Sequence, residues 1–209
     1  MLRGTTIARP PDATKKEIKT ETRQRLLDAA AEEFARYGYV GANVNRISGS
    51  AGFAKGTIYN YFPSKRGLMR SLIEETAVAH TDFVLQQVEQ EPDPAAGLER
   101  FFGAGVAFVE RHPARAGVIV NAVYGPDEEF RALVYRAYEG LFALIIHQVV
   151  EPGIAEGEFR PVDPDTTAAL VMTVYLGSCS QIEADGKIWL DPGQVASFVL
   201  DGLRRRTAS

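Results

Sequence analysis

Apolar positions along the chain recur every three or four residues, and no stretch keeps the two-residue rhythm of a strand. Residues 1–13 are polar, contain Pro10 and Pro11 and show no periodicity, so a flexible arm is expected there. Thr14-Lys15-Lys16-Glu17 reads as a capping box opening a helix to about Tyr37. Its inward face is Leu26, Leu27, Ala30, Ala31 and Phe34, and Gly38 is a natural stop. Two short pieces follow, from Val44 to about Ala51 behind the cap Asn43, and from about Ala54 to Asn60. Ile47, Ile58 and Phe62 are expected in the core. Ser64 starts the next helix, with Leu68, Leu72, Ile73 and Thr76 on one side, running to about Gln90.

Asp93-Pro94, Asp163-Pro164 and Asp191-Pro192 share one signature, an acidic cap followed by proline at the first helical position, and Asp127 is a fourth start. Helices are expected over about 94–110, 114–124, 127–150, 164–184 and 192–206. The fold class is therefore all-α, with about nine helices and no internal repeat.

Composition narrows the class. The 209 residues are 45% apolar and 24% charged, the balance of a globular chain rather than a disordered one. The longest aliphatic/aromatic run, Leu141 to Ile146, falls far short of the roughly 18 residues a bilayer span needs. No membrane partner is expected, nor a signal peptide, because the N-terminus lacks an apolar segment. Cys179, the single cysteine, has no internal disulfide partner, which fits a cytoplasmic location. The net charge of −4 hides a division: residues 1–70 carry +7 and residues 71–209 carry −11. A basic module suited to a polyanion is joined to an acidic module with another task.

Enzymatic constellations are missing from the sequence. His80, His112 and His147 form no metal-binding pair, Cys179 has no partner for zinc, and no metal or cofactor is expected. Gly103-Ala104-Gly105 begins a dinucleotide fingerprint, but Phe108 stands where the third glycine belongs and no strand precedes it. Ser48-Gly49-Ser50 lacks a nucleophile-elbow context.

Two short helices about a glycine turn, after a longer helix, make a helix-turn-helix candidate. Residues 22–68 resemble the DNA-binding domain of TetR-family transcription regulators. The likeness is carried by Gly52-Phe53-Ala54-Lys55-Gly56-Thr57-Ile58-Tyr59-Asn60-Tyr61-Phe62-Pro63-Ser64-Lys65 and by Phe34-Ala35-Arg36-Tyr37-Gly38-Tyr39. It covers about a quarter of the chain. Ala54 departs from the family, standing where a hydroxyl cap is common, and Gly67 stands where an acid would complete a box with Ser64.

A recognition helix enters the major groove by its N-terminus. Lys55, Gly56 and Thr57 are thus the expected base-contacting residues: a lysine for guanine O6 and N7, a threonine methyl for thymine, and a glycine admitting the backbone. Tyr59, Tyr61 and Lys65 suit phosphate oxygens, the lysine being otherwise oddly placed at a helix N-terminus. The resemblance adds Asn45 as a base contact and Arg46 as a phosphate contact.

The resemblance also implies a C-terminal half that dimerises and holds a small-molecule effector. Phe101, Phe108, Tyr124, Tyr138, Phe142, Met172 and Tyr175 are the candidate walls of an apolar or aromatic effector pocket. Val174, Gly177, Val195, Phe198 and Val199 are the candidate dimer interface. The expected organisation is an arm (1–13), a helix-turn-helix domain (14–63), a connecting helix (64–90) and an effector-binding and dimerisation domain (91–209). The expected function is a homodimeric repressor on an inverted-repeat, double-stranded operator, released by an unknown small effector. The rival is a DNA-bound organising factor whose C-terminal half meets protein partners and has no cavity.

Overall fold

A computed structural model describes residues 14–89, 91–180 and 187–205. The arm expected over 1–13, Gln90, residues 181–184 of the expected 164–184 helix and residue 206 lie outside these. Nine helices and one 3-10 turn make up the described residues, with no strand among them. We number them α1 (Lys15–Gly41), α2 (Val44–Ser50), α3 (Lys65–Val88), α4 (Pro94–Arg111), α5 (Pro113–Tyr124), α6 (Glu128–Ala137), α7 (Glu139–Ala155), α8 (Pro164–Cys179) and α9 (Pro192–Leu203). The 3-10 turn spans Thr57–Asn60. No single helix is long and apolar enough to cross a membrane.

The caps form where the sequence places them. Thr14 and Glu17 make the reciprocal capping box. The carboxylates of Asp93, Asp163 and Asp191 accept from Ala96, Thr166 and Gln194 amides at 2.8–2.9 Å, each with proline in the first turn. Asp127 accepts two amides, from Glu129 and Phe130, both at 3.1 Å. Each such cap contributes roughly 1 kcal/mol. Gly38 kinks α1 at φ 65°, a conformation costly for any side-chain-bearing residue.

Several boundaries differ from expectation: α1 continues past its kink at Gly38 to Gly41, α8 ends at Cys179 and α9 at Leu203. The helix expected over 127–150 breaks at Tyr138, whose φ of −100° and ψ of 8° leave helical geometry, and α6 and α7 meet at a 41° bend. The break turns the Tyr138 ring into the core. The second half then runs past 150, because α7 widens to π geometry over Ile145–Val150 before resuming at Glu151. Pro152, which has no amide to donate, follows closely on this widened stretch. The piece expected from Ala54 to Asn60 shortens to Thr57–Asn60, because Gly56 adopts φ 88° and forms a turn before it.

The core is continuous between the two halves. Leu26, Leu27, Ala30, Ala31 and Phe34 of α1 close over Ile47, Ile58 and Phe62, all at most 2% exposed. Behind them α1 packs on α5, and α3 packs on α4 and α6. Burying a side chain such as Phe34 is worth roughly 1.5–3 kcal/mol. The helix-turn-helix is therefore set on the C-terminal bundle by shared core as well as by the chain itself.

Candidate DNA interface and effector cavity

The turn between α2 and the 3-10 segment is built from backbone bonds. The Phe53 amide donates to the Ser48 carbonyl (2.9 Å), and the Thr57 amide to Ala54 (3.1 Å). Arg25 of α1 donates to the Ala51 carbonyl at 2.8 Å and lies over the Phe53 ring at 4.8 Å. The turn is thus anchored on both sides. Lys55 projects from it exposed, with no ion-pair partner among the described residues, and Thr57 is half-buried. Nothing lies within 4 Å of a Cβ built on Gly56, so its left-handed φ, rather than crowding within the chain, calls for glycine. Asn45 is exposed on α2, its amide donating to the Asn43 cap at 2.9 Å. Tyr59 is 55% exposed, whereas Tyr61 packs partly on the core.

Two of the expected phosphate contacts already have partners. Arg46 donates to a Glu33 carboxylate oxygen through Nε (2.9 Å) and to the Gly41 carbonyl (3.2 Å), and lies over the Tyr37 ring at 4.5 Å. Burial raises the Glu33 pKa, but hydrogen bonds from Arg46 and the Asn43 amide outweigh it and hold the carboxyl below its usual value. Lys65 Nζ donates to the Val40 carbonyl at 3.0 Å and sits 4.9 Å from the Tyr39 ring centroid. A lysine at a helix start, opposed to the dipole, has a structural reason: it satisfies a carbonyl at the end of α1.

Beside Lys65 lies a network the sequence did not reveal. Arg66 meets Asp127 (3.2 Å) and Glu129 (2.6 Å) of the α6 start, and Arg70 meets Glu129 at 3.2 Å. The Arg66 guanidinium also covers the Phe130 ring at 4.7 Å. The Glu129 carboxyl is held low, chiefly by the Arg66 hydrogen bond, and that of Asp127 chiefly by the Phe130 amide. The spacing of Arg66 and Arg70 on one helix face was visible, but the carboxylates opposite are 59–63 residues away and read only as helix-start acids.

The same α6 forms a wall of an apolar cavity of about 270 Å³. Phe108, Tyr138, Phe142, Met172 and Tyr175 line it as expected. Phe101 and Tyr124 do not: Phe101 is fully buried behind Tyr175, their centroids 5.1 Å apart, and Tyr124 is 63% exposed. Exposed Tyr135, Ala169 and Thr173 stand among the lining residues, so the cavity reaches solvent between α6 and α8. At its centre is His80, which the sequence showed only as an unpaired histidine. Its Nε2 lies 2.8 Å from the Tyr175 hydroxyl, its Nδ1 3.1 Å from the Tyr138 hydroxyl, and its ring stacks on Phe108 at 4.4 Å. Burial pushes its pKa down to about 4, so the ring is neutral. The spacing Leu72, Thr76, His80, Val84, one residue per helical turn, was the signal that placed it inward.

Of the candidate dimer residues, Phe198 is 76% exposed, Val174, Gly177 and Val199 are half-buried, and Val195 is turned into the subunit. With Leu170, 61% exposed, they leave an outward apolar face on α8 and α9. A Cβ at Gly177 meets nothing within 4 Å, leaving room for another helix.

Residues 26–72 match the family of bacterial regulatory proteins, tetR family. The HTH-type transcriptional regulator SrpR of Pseudomonas putida is 26% identical over 165 residues, covering 72% of this chain and 68% of SrpR. The fold is similar to FadR of Bacillus subtilis, solved in complex with stearoyl-CoA (TM-score 0.73, 21% identity, 85% of this chain and 95% of that one). It is similar too to AibR, solved with isovaleryl coenzyme A and operator DNA (TM-score 0.71, 20% identity, 88% and 98%). Residues 26–72 are thus similar to the helix-turn-helix DNA-binding domain of the tetR family of bacterial regulatory proteins, and the fold as a whole is similar to that of transcriptional regulators of that family.

Proposed function

We propose that the protein is a cytoplasmic homodimeric repressor that leaves an inverted-repeat operator when a small apolar effector enters the α6–α8 cavity. The observation that carries this reading is the double use of α6. Its first turn holds Arg66 and Arg70 at the start of α3, and its last turn, with Tyr138, walls the cavity. Ten residues of helix, about 15 Å, separate the two. An effector that displaces the Tyr138 end of α6 shifts the grip on Arg66 next to Lys65. α3 then tilts as a lever and moves the paired recognition turns off the spacing of about 34–36 Å that one turn of DNA demands.

In this reading Lys55, Gly56, Thr57 and Asn45 meet base edges, and Tyr59, Tyr61, Lys65 and Arg46 meet phosphates. The outward apolar face on α8 and α9, centred on Val174, Gly177, Phe198 and Val199, pairs two copies, with Val195 supporting it from within. The cavity volume, below the roughly 300–1,000 Å³ usual for drug-sized ligands, suits a short acyl chain or small ring. The isovaleryl-CoA bound by AibR is a suitable first probe of that kind. The existence of a cavity favours this reading over the organising factor, which needs none.

The test begins with an operator selected from random duplex DNA by the purified protein. Fluorescence anisotropy then measures DNA affinity with and without isovaleryl-CoA and small apolar compounds. A bound effector weakens DNA binding, and operator DNA weakens effector binding by the same factor. A tight cavity ligand that leaves DNA affinity unchanged refutes the coupling.

A further inference from the structure

Eighteen residues line the cavity, and none of them carries an Asp, Glu, Lys or Arg side chain. A ligand portion seated there is therefore uncharged, since an ion would lose its hydration and find no counter-charge. The polar exception is the chain of Tyr138, His80 and Tyr175, with 6%, 4% and 2% exposure. A neutral imidazole has one N–H and one bare nitrogen. Two hydroxyls contact its two nitrogens, so one hydroxyl donates to the ring and the other accepts from it.

The tyrosine that accepts keeps its own proton for another partner. Tyr175 has a candidate to hand, because the Cys179 thiol stands one helical turn further along α8 and lines the same cavity. In one arrangement Tyr138 donates to Nδ1, Nε2–H donates to Tyr175, and Tyr175 donates to the thiol sulfur; every group is satisfied. In the other, Nδ1–H donates to Tyr138, Nε2 accepts from Tyr175, and Tyr175 accepts from the thiol. The Tyr138 proton then has no acceptor among the described residues. Both arrangements hold the same protons and differ only in the imidazole nitrogen that bears one.

We propose that the cavity recognises an uncharged, apolar group through one carbonyl oxygen, which accepts a hydrogen bond from the Tyr138 hydroxyl while His80 and Tyr175 aim that proton into the cavity. This rests on reading the cavity as the effector site. Tyr138 is the contacting residue; His80 is a positioning residue that acts through it. The position of Tyr138 at the α6–α7 break gives the bond a consequence, because a carbonyl held there bears on the end of the helix whose start grips Arg66. A free ketone and an acyl thioester share this chemistry.

Calorimetry on the full-length protein at neutral pH with 2-heptanone, heptane and heptanoate tests it. The ketone is expected to bind at least ten-fold more tightly than the alkane, and the carboxylate more weakly than the ketone. Tyr138→Phe removes the preference of ketone over alkane while retaining alkane binding; His80→Phe reduces the preference. An independent measurement uses the unaltered protein: the infrared stretch of carbonyl-labelled 2-heptanone moves to lower wavenumber on binding than in a hydrocarbon solvent. Isovaleryl-CoA replaces the ketone in a parallel arm, and whichever binds with Tyr138-dependent preference identifies the source of the carbonyl. Equal affinities for the three heptyl probes, strongest binding by heptanoate, no binding by either carbonyl source, or an unshifted stretch overturns the proposal. DNA release is read separately by anisotropy. A Tyr138-dependent ligand that does not release DNA refutes the effector reading alone, and a releasing ligand indifferent to Tyr138→Phe refutes only the carbonyl site.

Discussion

Gly105 of α4 faces the Tyr175 ring so closely that a methyl group there has no place. An ideal Cβ at 105 falls 2.2 Å from Tyr175 Cε2, 2.5 Å from its hydroxyl oxygen and 2.6 Å from Cζ, where ordinary contact begins at 3.4 Å. In Gly105→Ala the ring must withdraw by about 1 Å or more, and it is hemmed on one side by Phe101 and Phe102. Overpacking without escape costs about 1–3 kcal/mol, and stranding the buried hydroxyl from His80 adds about 1–3 kcal/mol. Tyr175 has an escape, because it lines the cavity and can swing into empty volume. The lower end of the sum therefore applies, about 2 kcal/mol, or roughly 4–8 °C in Tm for a chain of this size. The swung ring occupies the effector's space, so ligand binding fails while the fold and DNA binding persist.

Gly103→Ala is the internal control. It lies two residues away on the same helix, meets nothing within 4 Å, and should stabilise by up to about 1 kcal/mol through helix propensity. The assay is chemical denaturation of both variants beside calorimetric titration with a cavity ligand. If Gly105→Ala matches Gly103→Ala in stability, or binds ligand normally, the packing of Tyr175 against α4 and its part in the cavity are wrong.

Lys55→Ala or Thr57→Ala should lose discrimination among operator variants by roughly 1–3 kcal/mol per base contact, whereas Tyr59→Phe should weaken all sequences alike; competitive binding to a set of single-base operator variants separates the two. Arg66→Ala, which frees Asp127 and leaves Glu129 with Arg70 alone, should leave effector affinity for the isolated protein nearly unchanged but reduce the effector's power to release DNA; retention of full coupling in anisotropy titrations counts against the α6 route. His80 supplies a pH signature. Its folded pKa of about 4 lies below the ordinary 6.5, so the unfolded chain binds the extra proton; its contribution is complete above pH 6.5 and drains away as pH falls toward 4, by about 3 kcal/mol. Tyr138, Tyr175 and Cys179 have raised pKa values and stay protonated throughout that window, so the pH slope of stability should flatten in His80→Gln and stay steep in the unaltered protein.

What the sequence discloses is local. Helix starts follow from one residue and its neighbour, as at Asp163-Pro164, and the inward stripe of α1 from spacing alone. The candidate DNA-reading turn was legible for the same reason: Gly52 and Gly56 adopt positive φ, and the residues proposed to meet DNA all lie in one stretch of chain between Asn45 and Lys65. The cavity was legible as a collection of aromatics but not as a shape. Phe101 and Phe108 stand on the same face of α4 two turns apart, and only the packing around them decides that Phe108 borders space while Phe101 fills it. The break at Tyr138 was hidden because the apolar rhythm continues through it, and the partner of its hydroxyl is a histidine 58 residues earlier. His80 itself looked idle because its partners are tyrosines, which form no recognised motif with histidine.

The cations at the DNA-facing end show how such a regulator can combine binding with release. Lys65 and Arg46 are already held, one by the Val40 carbonyl and one by Glu33, both within or beside the end of α1. In the proposed complex, DNA phosphate would gain them only by exchange, so each contact would be worth the difference between two charge-assisted bonds rather than a full one. That difference is small, and a small displacement of α3 relative to the end of α1 can reverse its sign. Arg66, adjacent to Lys65, fixes that displacement through Asp127 and Glu129. Because exposed ion pairs of this kind are weak in water, no single bond locks the protein in either state. An effector then needs only a modest preference for one α6 position to shift the population, which suits a cavity too small to supply a large binding energy.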